Sequence, residues 1–320
     1  MTAPDLSSID VLAAARLFPA YQAHLQQAFR FHDRSHEGDA AACAALAPRI
    51  RAVACGGESR VPASLIEQLP ALEIISVFGV GYDGVDVPAA KARGVVVTHT
   101  PSVLNDEVAD TAIGLMLCAA RQLPAADRYV REGKWLGGPM PLSRKMTGAR
   151  LGIVGMGRIG QAIARRALAF DMSIAYTARS AKPEMPYAFH ADVAALAEAS
   201  DFLVVITPGG AGTRHLVNAR VLEALGPQGI LVNVARGSVV DEQALVEALE
   251  RGTIAGAGLD VFADEPRVPE RLIALPHVVL APHIGSATTA PRQAMDDLAF
   301  GNLRAHFSGQ PLLTPVPECR

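Results

Sequence analysis

The chain sets a cation, a carboxylate and an imidazole in fixed order behind one glycine-rich loop. The loop is Gly155-Met156-Gly157-Arg158-Ile159-Gly160. The three are Arg236 in Val234-Ala235-Arg236-Gly237, Glu265 in Phe262-Ala263-Asp264-Glu265-Pro266, and His283 in Pro282-His283-Ile284-Gly285. The G-x-G-x-x-G spacing lets backbone approach a dinucleotide pyrophosphate. A guanidinium can hold an anionic substrate in a two-pronged contact. An imidazole titrates near neutrality, and a carboxylate within hydrogen-bond reach raises its pKa and keeps a proton ready for transfer. Together these residues imply hydride transfer between a nicotinamide cofactor and a 2-keto or 2-hydroxy acid. Asp260, Asp264 and Glu265 form an acidic group, but no compact set of histidines and carboxylates joins them. Hydride transfer needs no metal, and none is expected.

The cofactor is read from the loop and the strand after it. Gly155 permits the tight turn, Gly157 the approach of the phosphates, and Gly160 close helix packing. The backbone of Met156, Arg158 and Ile159 then faces the phosphates at a helix start. NAD sites carry an acid at the end of the next strand, but here the chain reads Tyr176-Thr177-Ala178-Arg179-Ser180-Ala181-Lys182. Thr177 stands in the acid's place, and the group Ala178, Arg179, Ser180 and Lys182 suits a 2′-phosphate. NADPH is therefore expected, with NADH possible. Further cofactor contacts are expected from Thr207, Pro208, Thr213, Val234, Ala235, Asp260 and Gly285.

These residues need a scaffold, and the rest of the sequence supplies its pattern. A chain of 320 residues fits two domains. Short apolar runs alternate with amphipathic stretches, the signature of βαβ units and parallel sheets. Strands are expected near 11–12, 29–32, 52–55, 74–78 and 95–98, then 151–154, 173–176, 202–206, 230–234, 257–260 and 278–280. A long helix, 105–121, is apolar through its middle and is expected to be buried all round, as a connector. Residues 131–145 carry the only tryptophan, Trp135, among many Gly and Pro, and read as an arm. The last helix, 289–307, has no sheet of its own to cover and is inferred to return to the first domain. The expected fold is α/β, two doubly wound parallel-sheet domains of Rossmann and flavodoxin type with a cleft between them. Residues 1–100 with 290–320 would form the substrate-binding domain and 101–289 the dinucleotide-binding domain.

Bulk properties narrow the partners. A net charge of −3 with mixed signs disfavours nucleic acid. The cysteines, Cys43, Cys55, Cys118 and Cys319, show no C-x-x-C pair and read as free thiols in a reducing cytoplasm. No basic segment followed by an apolar run opens the chain, so no signal peptide is expected. The apolar runs are too short to span a membrane.

The motifs resemble the D-isomer-specific 2-hydroxyacid dehydrogenase family over most of the chain from about residue 74. They are Val80-Gly81-Tyr82-Asp83-Gly84-Val85-Asp86, Asn105-Asp106-Glu107-Val108-Ala109-Asp110, the glycine loop, Asn233-Val234-Ala235-Arg236-Gly237, Gly258-Leu259-Asp260-Val261-Phe262 and Pro282-His283-Ile284-Gly285-Ser286. The resemblance implies that Arg236 binds the substrate carboxylate and keto oxygen. It implies that His283, paired with Glu265, donates the proton, and that amides near Val80 and Gly81 hold the carboxylate. It also implies a homodimer, with the arm reaching over the partner. Within the family, the stretch from Arg128 to Trp135, the cofactor loop and the stretch from Ala305 to Leu312 are most similar to glyoxylate and hydroxypyruvate reductases, including hydroxyphenylpyruvate reductases. The implied activity is NADPH-dependent reduction of a small 2-keto acid to a D-2-hydroxy acid. Phosphoglycerate dehydrogenase fits less well, because no regulatory domain follows the last helix and the cofactor loop is not acidic. Formate dehydrogenase carries a Gln where Glu265 stands. Two rivals remain. One is a reductase of bulkier 2-keto acids of the hydroxyphenylpyruvate or 2-ketogluconate type, to which the 5% aromatic content lends no particular support. The other is a dinucleotide-sensing corepressor, opposed by the intact trio and the short ends.

Overall fold

The computed structural model describes residues 5–33 and 45–319, so Cys43 lies outside the described residues. The chain divides into two compact units, Met1–Val103 with Thr288–Arg320, and Leu104–Ala287.

The first unit is built on β1 (Asp10–Ala13), β2 (Arg30–Asp33), β3 (Ile50–Gly56), β4 (Ile74–Phe78) and β5 (Val96–Thr98). All pair in parallel, in the order β2-β1-β3-β4-β5. Every residue of β4 is buried, which is why its sequence is apolar but for Ser76 rather than an alternation. This strand order is the flavodoxin-like one, and its switch point lies between β1 and β3. Helices α1 (Pro19–Ala28), α2 (Ala63–Gln68) and α3 (Val87–Ala92) connect the strands. The last helix, Thr289–Phe307, completes this unit: the Ser76 hydroxyl of β4 donates to the Ala299 carbonyl at 3.0 Å. Asn302, fully buried on the same helix, donates to the Thr314 hydroxyl at 2.7 Å and accepts the amides of Leu313 and Thr314. Beyond it Pro315 bridges Thr98 at the sheet edge, and Val316 is fully buried.

The second unit holds β6 (Arg150–Val154), β7 (Ser173–Thr177), β8 (Ala188–Phe189), β9 (Phe202–Val205), β10 (Ile230–Asn233), β11 (Gly256–Leu259) and β12 (Val278–Leu280). These too are all parallel, in the order β12-β11-β10-β9-β6-β7-β8. This is the Rossmann order with one strand added, and its switch point falls between β6 and β9, where dinucleotides bind. One side of the sheet packs a core that includes Leu203, Leu222, Leu231, Leu245 and Phe262.

Helix α4 (Asn105–Arg121) opens this unit and departs from the expected all-round burial. Its middle has no exposed residue, but Asp106 and Asp110 at its start face solvent and pair with Arg166. Gln122, in the left-handed region at φ +52°, breaks the helix. A second helix, α5 (Leu123–Arg131), follows with Pro124 in its first turn. No residue of α5 or of 131–145 is buried. Helices α6 (Arg158–Leu168), α7 (Val193–Glu198), α8 (Ala219–Leu225), α9 (Glu242–Glu250) and α10 (Glu270–Ile273) complete the unit. No described helix is long and apolar enough to cross a membrane. No described group of three or more His, Cys, Asp or Glu is placed to hold a metal ion.

Candidate active site

The glycine loop joins β6 to α6. Gly160 packs so closely that a Cβ there would lie 2.1 Å from the Gly155 carbonyl oxygen, so only glycine lets the helix begin here. A Cβ on Gly157 would instead meet no atom within 4 Å. Gly157 thus opens onto the space before α6, whose first-turn amides point where an anion binds. The Met156 side chain is buried, which leaves its backbone to face a ligand, while Arg158 is exposed and Ile159 half-buried. This cradle fits a pyrophosphate.

At the end of β7, Thr177 is buried, Ala178 and Lys182 are half-buried, and Arg179 and Ser180 are exposed. The loop is tied back to its own strand. The hydroxyl of Tyr176, a residue only 1% exposed, accepts the Lys182 amide at 2.7 Å and donates to the Lys182 carbonyl at 3.4 Å. No carboxylate stands in the Thr177 position, and the donors present fit a 2′-phosphate. After β9, the Thr213 hydroxyl donates to the Pro208 carbonyl at 2.7 Å and so closes the loop that begins at Thr207.

Arg236, Glu265 and His283 stand on loops that follow β10, β11 and β12. Asn233, buried at the end of β10, shapes the first of these. Its amide donates to the Arg236 carbonyl and its oxygen accepts the Ala235 N–H, both at 3.0 Å, with Val234 and Ala235 buried between. Gly237 lies so near the next loop that a Cβ would come within 1.9 Å of the Phe262 carbonyl carbon. The Arg236 turn therefore rests directly on the loop that carries Glu265. Arg236 donates through Nη1 to the Ala235 carbonyl at 2.8 Å. Glu265 accepts the Phe262 amide on Oε1 at 2.9 Å and His283 Nδ1 on Oε2 at 2.7 Å. The two side chains are 26% and 28% exposed, buried enough to couple and open enough to reach a substrate.

Asp260 holds the third loop. It is 2% exposed, and three acceptors of this one residue take three successive amides. Its carbonyl accepts His283 N–H at 2.9 Å, Oδ1 accepts Ile284 N–H at 2.7 Å, and Oδ2 accepts Gly285 N–H at 2.8 Å. His283 sits in the left-handed region at φ +53°, which costs a non-glycine residue about 1–3 kcal/mol and persists only where the surroundings over-determine it. Asp260 and Gly285, expected to touch the cofactor, are bonded to one another in this turn.

The electrostatics follow from these contacts. Burial works to raise the Glu265 pKa. The His283 bond and charge, the Phe262 amide and the Arg236 charge outweigh it, and the carboxyl sits below its ordinary value. For Asp260, burial prevails over the Ile284 and Gly285 amides and lifts the carboxyl above the usual range.

The first unit holds the other expected site residues. Val80 and Gly81 are half-buried in the loop after β4, and neither amide donates to another group among the described residues. His99, after β5, donates from Nδ1 to the Val80 carbonyl at 2.9 Å and fixes the loop from beneath. Tyr82 meets the His99 ring edge-on and bonds Glu318 through its hydroxyl. Sequence reasoning missed the parts played by His99, Tyr176 and Asn233. Their side chains fix neighbouring loops, and nothing in their own surroundings in the sequence marks that work.

The profile of the D-isomer specific 2-hydroxyacid dehydrogenase, NAD binding domain, matches residues 113–285. The chain is 52% identical over 270 residues to a hydroxyphenylpyruvate reductase of Plectranthus scutellarioides, covering 84% of this chain and 86% of that protein. It is 42% identical over 310 residues to a 2-ketogluconate reductase of Gluconobacter oxydans, covering 97% and 99%. Its fold superposes with a TM-score of 0.92 and 48% identity on the NADPH-dependent glyoxylate/hydroxypyruvate reductase of Sinorhizobium meliloti, solved with NADP and malonate, over 98% of each chain. Matches of this identity and extent, together with the Rossmann order and the trio, place the chain in the D-isomer-specific 2-hydroxyacid dehydrogenase family, as an NAD(P)-dependent oxidoreductase.

Proposed function

We propose that this protein is an NADPH-preferring reductase of small 2-keto acids, glyoxylate and hydroxypyruvate foremost, yielding D-2-hydroxy acids. The observation that carries this reading is the 2.7 Å bond from His283 Nδ1 to Glu265, beside the Arg236 charge. Nδ1 is committed to the carboxylate, so Nε2 is the nitrogen that exchanges a proton with substrate. Arg236 holds the substrate carboxylate and the keto oxygen, and the Val80 and Gly81 amides hold the carboxylate. The bound nicotinamide supplies the hydride that C2 receives. As the keto oxygen gains charge, Arg236 stabilises it and His283 gives it the proton. Glu265 stays ionised and holds the imidazolium in place.

NADPH preference is supported by Arg179, Ser180 and Lys182 where NAD sites carry an acid. A second reading, reduction of bulkier 2-keto acids, is favoured by the 52% identity to a hydroxyphenylpyruvate reductase. We also propose a homodimer formed through the arm, where Trp135, Leu136 and Leu142 are 66%, 96% and 100% exposed. The free thiols of Cys55, Cys118 and Cys319 fit residence in a reducing cytoplasm.

One panel tests the activity: glyoxylate, hydroxypyruvate, hydroxyphenylpyruvate and 2-ketogluconate, each with NADPH and NADH. The highest kcat/KM is expected for glyoxylate or hydroxypyruvate with NADPH. Higher values for the two larger acids would replace the first reading by the second. In Arg236→Lys the charge stays but the fork is lost, so substrate KM should rise and kcat fall with little change in NADPH binding.

A further inference from the structure

Arg292, in the first turns of the last helix, lies within the first unit at the carboxyl edge of its sheet. Its guanidinium carbon sits 5.8 Å from the centre of the Phe78 ring and 5.4 Å from that of Phe18. The two rings stack on each other at 5.9 Å, and Phe78 also stacks on the fully buried Tyr21 at 5.2 Å. The stack fixes the cation's position, and Phe78 is the residue directly before Gly79-Val80-Gly81. What it lacks is an acceptor. Arg292 Nε is buried without a hydrogen bond, and no described group accepts a hydrogen bond from the guanidinium. Burial lowers its pKa, against the opposing pull of the Glu58 charge. The Nε–H is buried away from water with no acceptor, which is costly. Such a group at the carboxyl ends of parallel strands is placed for a ligand oxygen.

We infer that Arg292 is a specificity-determining residue that binds an oxygen carried by the substrate beyond C2, the C3 hydroxyl or a second carboxylate of a 2-keto acid. This rests on the proposed function, in which the Val80 and Gly81 amides of the same unit already hold the oxygens of the carboxylate. The oxygen left for Arg292 is one further along the substrate. The aromatic wall of Phe18 and Phe78 excludes water from one side of the guanidinium, which strengthens the contact.

The test compares hydroxypyruvate with pyruvate, which differ only in the C3 hydroxyl, by kcat/KM with NADPH. The wild type should favour hydroxypyruvate. Arg292→Met keeps an unbranched stem on the rings and removes the donors. It should lower the hydroxypyruvate-to-pyruvate ratio by roughly tenfold or more, the worth of one charge-assisted hydrogen bond. A ratio kept within about twofold, whatever happens to the absolute rates, would overturn the assignment, because a structural defect harms both substrates alike. A wild type that does not favour hydroxypyruvate would overturn it too. If Arg292→Met does not fold, Arg292→Lys, with charge but no fork, takes the same comparison and the same criterion. A wild type that reduces glyoxylate but fails the ratio test refutes the role of Arg292 alone; one that reduces no 2-keto acid refutes the proposed function.

Discussion

Glu265 and His283 share one hydrogen bond, and its strength can be measured as a shift along the pH axis. Glu265 lies below its ordinary pKa because the His283 bond and the nearby positive charge outweigh burial. By reciprocity the ionised carboxylate favours the protonated ring. Reduction consumes the proton of His283, so its rate should fall as pH rises through the histidine pKa. The reverse oxidation needs the neutral ring and should rise over the same range. In Glu265→Gln the negative partner is gone, and the falling limb for reduction should move to lower pH. A limb that stays in place would mean that Glu265 does not set the titration. His283→Asn should keep NADPH binding while kcat for reduction drops by roughly 10²–10⁴, read by steady-state kinetics beside a binding titration.

Elements determine whether such residues meet. The loop after β7 displays Arg179 and Ser180, and the Tyr176 hydroxyl holds it through the Lys182 amide. Tyr176→Phe keeps the buried ring and removes the long contact to the Lys182 carbonyl together with the 2.7 Å bond from the Lys182 amide, a neutral hydrogen bond worth about 0.5–1.5 kcal/mol. If that bond orders the phosphate-binding loop, the NADPH Kd by fluorescence titration should rise while the NADH Kd barely moves. Equal changes would assign Tyr176 to general folding. The sequence makes much of this architecture legible. Largely apolar runs mark β4, β9 and β10, every residue of which is buried, and Asp241 before α9 caps it as its residue type implies, accepting the Ala244 amide at 3.1 Å. Helix α5 is absent from the sequence reading, although its residues are amphipathic; none of them is buried. His99 and Asn233 escaped notice for a physical reason. Hydrogen bonds such as His99 to Val80, 19 residues apart, depend on how strands stack into a sheet, and local composition does not encode that. The trio is legible because each member follows a β-run, on loops at the same edge of one parallel sheet.

At the scale of the whole molecule, the proposed dimer is tested at the exposed arm. Trp135, Leu136 and Leu142 are 66%, 96% and 100% exposed, and the proposed dimer would cover them. Light scattering should give twice the chain mass for the wild type. Leu136→Asp with Leu142→Asp should give a single chain, and an unchanged dimer would place the contact elsewhere. The tail and last helix have a consequence in the order of synthesis. Ser76 finds its acceptor on Ala299, 223 residues later, and Val316 fills the same unit near the end of the chain. Translation delivers β1 to β5 first, yet one face of β4 stays bare until the last helix has emerged. The second unit, continuous in sequence, can close in the interval. A chain stopped after residue 287 should therefore give a protease-resistant fragment covering 104–287 and a digestible amino-terminal part. The unit made first is finished last, and yield on overexpression will depend on how long its apolar strands wait uncovered.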